Sequence, residues 1–264
     1  MKWIEENQTG LTAAMLTLGP LLLAQGVYVR RTALKLPEPP GPREGVSGAG
    51  APFSLLIVGD SAGAGVGSRT HDEALIGHVR SALSAGFRLR WKLVAKAGYT
   101  TRDAIRCLRE TPPEPFDAVV ISLGTNDVTS GRRISTWTSE LNQLAALLRS
   151  KFQARQIVFS GLARMQDFPA FPQPLAWYMG ARAGLLNRTL ERWVAPQTDC
   201  DLIPVDKSIR PEMLAEDGFH PGPEIYALWG AAAAEKILQR QQVCSSDVPI
   251  SNDPVTVFSG SSIR

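Results

Sequence analysis

Between residues 53 and 241 the sequence switches five times from a short apolar run to a longer stretch with helical spacing. The apolar runs are 53–59, 89–95, 118–123, 157–162 and 202–205. Each is rich in Val, Ile and Leu and none alternates strictly, which is the pattern of strands buried on both faces. The stretches 71–85, 101–109, 134–151, 177–194 and 223–241 carry the helical periodicity. This alternation predicts a three-layer α/β/α sandwich, in which a five-stranded parallel sheet with right-handed crossovers is covered by helices on both faces. Ligands of such sheets sit beyond the carboxyl ends of the strands, so the residues that follow each strand carry the functional information.

The chain of 264 residues, 44% apolar and 20% charged, has material for one sizeable domain of this kind. A net charge of +3 is too mild to indicate nucleic acid as a partner. Cys107, Cys200 and Cys244 are far apart and form no CxxC or Cys/His cluster, so neither a disulfide framework nor a metal site is implied.

The ends differ from the body. Residues 11–29 are uncharged over 19 positions, inside the roughly 17–25 that span a bilayer. Residues 1–35 therefore read as a membrane-anchor helix, with an amphipathic or core helix as the other reading. Its acidic start, MKWIEENQ, argues against a cleaved signal peptide. Arg30, Arg31 and Lys35 outweigh Lys2, which would put the downstream domain on the cytoplasmic side; a soluble cytoplasmic protein is the alternative. Residues 36–52 read as a Pro/Gly linker, residues 53–244 as the folded domain, and 245–264 as a Ser-rich tail.

The first strand runs into GDSAGAGVG, residues 59–67. Such a loop either cradles a phosphate or presents a nucleophile. No lysine follows the glycines as a P-loop requires, Ser68 stands where a dinucleotide fingerprint needs its third glycine, and no acid ends the second strand. Three further stretches favour the nucleophile: KAGYT after the second strand, SLGTND after the third, and DGFHP before the last helix. In this order the four stretches resemble the SGNH (GDSL-type) serine hydrolases over roughly residues 53–241, and the resemblance implies a flavodoxin-like sheet and ester hydrolysis.

On that resemblance Ser61 is the nucleophile, His220 its base and Asp217 the acid that fixes the imidazole tautomer. The oxyanion donors would be the backbone N–H of Ser61 and Gly98 and the side-chain amide of Asn126. The chemistry fits, because a serine hydroxyl needs an adjacent base and the developing oxyanion needs donors placed in advance. Other readings stand beside these. Asp60 and Asp127 read as structural partners of the turn and of Asn126, Asn126 as a cap, Asp206 as a rival to Asp217, and His71 and His78 as surface residues. Two departures from the family's pattern, Lys96 and the sequence Gly-Asp-Ser-Ala, mark a divergent branch and leave the substrate open.

The Pro- and aromatic-rich stretch 163–182 falls at the same end of the sheet. As a flap it would line an acyl or aryl pocket with Phe168, Phe171, Trp177 and Tyr178, with Phe219 beside His220; a packed loop is the alternative. Apolar acyl or aryl esters or lysolipids are the expected substrates, with no metal or organic cofactor. A thioesterase or carbohydrate deacetylase on the same residues, or a non-catalytic nucleotide- or ligand-binding module, are the competing functions. The sequence gives no indication of oligomeric state.

Overall fold

The computed structural model describes residues 2–205 and 209–246. Its elements in chain order are α1 (Lys2–Thr32), β1 (Glu44–Ser47), β2 (Ala51–Gly59), α2 (Ser61–Ala64), α3 (Leu75–Ser84), β3 (Phe87–Ala95), α4 (Thr101–Glu110) and β4 (Ala118–Ser122). They continue with α5 (Thr125–Thr129), α6 (Ile134–Lys151), β5 (Gln156–Ser160), α7 (Leu175–Val194), β6 (Cys200–Ile203) and α8 (Pro223–Ser246). The strands are ordered β1-β3-β2-β4-β5-β6. The five expected strands pair in parallel, and successive side chains leave the sheet on opposite faces. Leu56, Val58, Val119, Ile121 and Phe159 pack with α4, α6 and α7, while Leu55, Ile57, Val120 and Val158 pack with α3 and α8. The sheet order reverses between β2 and β4, which places a crevice at their carboxyl ends.

A sixth strand corrects the expected five. β1 lies inside the segment read as a linker and pairs antiparallel with β3, covering an edge that would otherwise present unpaired backbone groups. Four residues with alternating exposure suffice for an edge strand, and Lys92 of β3 bridges Glu44 of β1 at 3.3 Å. The residues before it also lie on the domain. Pro39 is buried, and the ring nitrogen Nδ1 of His71 lies 2.9 Å from the carbonyl of Pro42. His71 is thus buried rather than on the surface, and His78 is half-buried where Gly230 brings α8 against its Cβ.

α1 extends through the apolar stretch. Its segment Thr9–Thr32 is long and apolar enough to cross a membrane; its apolar window of 18 residues has mean hydropathy 1.5 and is only 11% buried. One stripe, with Leu11 and Leu22 at its centre, packs on Leu175, Tyr178 and Leu185 of α7. From the same face Gln25 donates from Nε2 to the carbonyl of Gln173 (2.6 Å) and accepts the N–H of Leu175 (3.1 Å). Leu16, Leu23, Val27 and Tyr28 face outward and are exposed. α8 runs to Ser246; the rest of the expected tail and Asp206 lie outside the described residues.

Candidate active site

The register aligns three strand ends: Gly59 pairs with Ala95 on one side and with Ser122 on the other. The chain turns sharply after Gly59. Asp60 caps α2 by accepting the N–H of Ala62 at 3.1 Å, and Ser61 begins the helix. The Tyr226 hydroxyl, from α8, donates to the carbonyls of Val66 (2.6 Å) and Ala62 (3.1 Å) and holds the turn from below. At Gly67 a side chain is excluded, because a Cβ would stand 2.3 Å from the carbonyl oxygen of Pro221. That close approach brings the loop before α8 against the serine turn.

In that loop Asp217 accepts the N–H groups of Phe219 and His220 through Oδ1, both at 3.0 Å. Its Oδ2 lies 2.5 Å from His220 Nδ1, and His220 Nε2 lies 2.9 Å from Ser61 Oγ. The carboxylate side chain is 3% exposed and the imidazole 17%. Burial alone would raise the Asp217 pKa, but its hydrogen bonds from the His220 ring and from two backbone N–H groups outweigh it, and the carboxyl is held below its ordinary range. An ionised carboxylate accepts only, so Nδ1 carries the proton toward Asp217 and Nε2 is left to accept the serine O–H.

Asn126, in the first turn of α5, donates from Nδ2 to the carbonyl of Tyr99 (2.9 Å) and, at 3.4 Å, to Oδ2 of Asp60. Burial pushes Asp60 up to about 7. Asp127 is fully buried and accepts the N–H and hydroxyl of Thr101 at 3.0 and 2.8 Å, tying α5 to α4. Gly98 occupies a turn closed by the Tyr99 N–H to the Lys96 carbonyl, with φ of +85°. Positive φ at that position favours glycine. Among the described residues neither the N–H of Gly98 nor that of Ser61 has an acceptor.

A cavity of about 590 Å³ opens beside Ser61 and His220. Phe168 and Phe219 line it, as does one face of α8 made by Ile225, Leu228, Trp229 and Ala232. Three of the expected wall residues do not. Trp177 and Tyr178 lie in the first turn of α7, which begins at Leu175, and their faces turn away from the cavity: Trp177 points to solvent at 49% exposure and Tyr178 is buried under α1. Phe171 stands behind the wall, its ring 5.9 Å from Phe168 and 5.7 Å from Phe219, while Phe219 lies edge-on to His220. The α8 face is not among the expected wall residues, although its spacing of i, i+3, i+4 and i+7, starting five residues after His220, is a signal the sequence carries.

Residues 57–228 match the model of the GDSL-like lipase/acylhydrolase family. The chain belongs to that family. No curated protein matches it. Among solved GDSL-type folds, the aryl esterase of M. smegmatis superposes with a TM-score of 0.57 at 19% identity, covering 71% of this chain and 99% of that one. A carbohydrate acetylesterase from Sinorhizobium meliloti gives 0.55 at 18% identity, covering 71% and 99%. A G-D-S-L lipolytic protein from Veillonella parvula gives 0.55 at 15%, covering 69% and 97%. These likenesses establish the GDSL sheet and its helices, and the family membership makes the chain an ester hydrolase.

Proposed function

We propose that this GDSL hydrolase is a serine esterase of the SGNH type, working through a Ser61–His220–Asp217 triad on esters with apolar acyl groups. The observation that carries the reading is the relay of short contacts from Ser61 Oγ to His220 Nε2 and from His220 Nδ1 to Asp217. In the first half-reaction Ser61 Oγ bonds to the ester carbonyl carbon while its proton passes to Nε2. The oxyanion is received by the N–H groups of Ser61 and Gly98, which have no acceptor among the described residues, and by Asn126 in place of its long contact to Asp60. The C–O bond breaks, the alcohol leaves with the proton from His220, and an acyl-enzyme remains. Water then repeats the sequence, giving up its proton to Nε2, and Ser61 is released with the acid product.

The acyl preference rests on the walls of the cavity, Phe168, Phe219, Ile225, Leu228 and Trp229. A largely apolar pocket of this size suits a hydrocarbon chain better than a polar sugar. We place α1 at a lipid surface: Leu11, Leu22 and Gln25 hold it lengthwise on α7, and the uncharged outward face carrying Leu16, Leu23, Val27 and Tyr28 meets the acyl region. Labelling with a fluorophosphonate probe tests the chemistry. Wild type should be labelled and Ser61→Ala should not; labelling that survives Ser61→Ala, or no labelling of wild type, rejects it.

A further inference from the structure

We propose that Glu38 and Arg43, in the segment before β1, are positioning residues that hold the turn carrying Gly98; the catalytic consequence rests on the esterase reading above. The turn is poorly packed. Lys96, Ala97 and Gly98 are exposed, and a Cβ built on Gly98 would meet nothing within 4 Å. Hydrogen bonds to its backbone therefore decide where it sits. From the sheet, Lys96 donates to the carbonyl of Gly59 at 3.3 Å, and from α5 Asn126 donates to the carbonyl of Tyr99 at 2.9 Å.

The remaining two come from the segment 36–43. Oε1 of Glu38 accepts the N–H of Ala97 at 2.8 Å, and Nη1 of Arg43 donates to the carbonyl of Ala95 at 2.6 Å. The two side chains are themselves joined, Arg43 Nη2 to Glu38 Oε2 at 2.5 Å. A closed ring thus runs from Ala95 through Arg43 and Glu38 back to Ala97, gripping both sides of Lys96. The next peptide N–H is that of Gly98. The ion pair is 41% and 28% exposed, and such a pair adds little to global stability. Its effect lies in fixing a backbone donor that packing leaves free.

Displacement of one oxyanion donor acts on the transition state and hardly on ground-state binding. Glu38→Ala should therefore lower kcat about tenfold, a fraction of the 10²–10³ seen when a donor is removed outright, while KM stays within about twofold. Glu38→Gln keeps an oxygen for the Ala97 N–H and should stay within about threefold of wild type in kcat. Amide hydrogen exchange over residues 95–99 reads the clamp without catalysis, and it should accelerate in Glu38→Ala. A kcat for Glu38→Ala within twofold of wild type, a change confined to KM, or exchange equal to wild type overturns the proposal. If wild type itself shows no Ser61-dependent turnover, the esterase reading fails on its own, and the exchange comparison alone decides whether Glu38 and Arg43 hold the turn.

Discussion

In the esterase proposed above, the face of α8 sets the length of acyl chain that is accepted. The lining residues Ile225 and Ala232 are seven positions apart on one helix, about 10 Å along its axis at 1.5 Å per residue. Three bonds of an extended chain span about 3.6 Å, so that length takes about eight to ten carbons, and a cavity of about 590 Å³ holds them together with an ester head. Each fully buried methylene contributes about 0.8 kcal/mol, so the six added between acetate and octanoate would give about 5 kcal/mol if wholly enclosed. Leu228 is 42% exposed, and the groove is open on that side. Half of the full value, about 2.5 kcal/mol, corresponds to nearly a hundredfold in kcat/KM. The assay is a series of p-nitrophenyl esters from acetate to palmitate, each below its micelle concentration. Wild type should rise steadily to about eight to ten carbons and then level. Ala232→Trp, which fills the far end, should bring the plateau two or three carbons earlier and leave the acetate rate unchanged. A profile highest at acetate, or one that Ala232→Trp leaves unaltered, would refute the assignment of this cavity to the acyl chain and favour a small-acyl substrate such as an acetylated sugar.

Asp217→Asn keeps the shape of the loop but offers Nδ1 the wrong partner, and kcat should fall by about 10⁴ in steady-state assays with the fold intact by circular dichroism. Asp60 gives a pH signature in stability. Its folded pKa is raised by burial to about 7 from an ordinary 3.8, so between about pH 4 and 7 the native state holds a proton that the unfolded chain has released. Stability from this group therefore declines as pH rises through that window, by at most about 4 kcal/mol. Urea titrations of wild type and Asp60→Asn should diverge there, and parallel curves would count against a buried, protonated Asp60. Gln25→Leu removes two hydrogen bonds to the start of α7 and leaves the Leu175 N–H without its acceptor. The loss of about 1–3 kcal/mol should lower Tm by several degrees in a thermal melt, whereas an unchanged Tm would mean that α1 is not docked on α7.

The five parallel strands were legible because a strand buried on both faces leaves a short run of Val, Ile and Leu, and here five such runs alternate with helical stretches. The candidate site was legible for a different reason: Ser61 and Asn126 beyond strand ends and His220 before the last helix sit beside glycines in the order of a known family. What escaped was carried by hydrogen bonds rather than by hydrophobicity. β1 reads EGVS, with no apolar pattern, and it forms because the edge of β3 offers unpaired backbone groups. The Pro- and Gly-rich composition that reads as a linker over residues 36–52 carries no information on whether the chain is held in place; Glu38, Pro39 and Arg43 hold it. Trp177 and Tyr178 fall within the expected helix, but composition does not say which way its faces turn; at about 100° per residue the two side chains part, one to solvent and the other under α1. The consequence reaches function. In the proposed esterase Ser61 and Asn126 stand just beyond strand ends that the hydrophobic pattern fixes, while the turn carrying Gly98 is held by an exposed segment whose role is visible only in its contacts. Variation among related enzymes in the segment before the first parallel strand should then change turnover more than it changes stability.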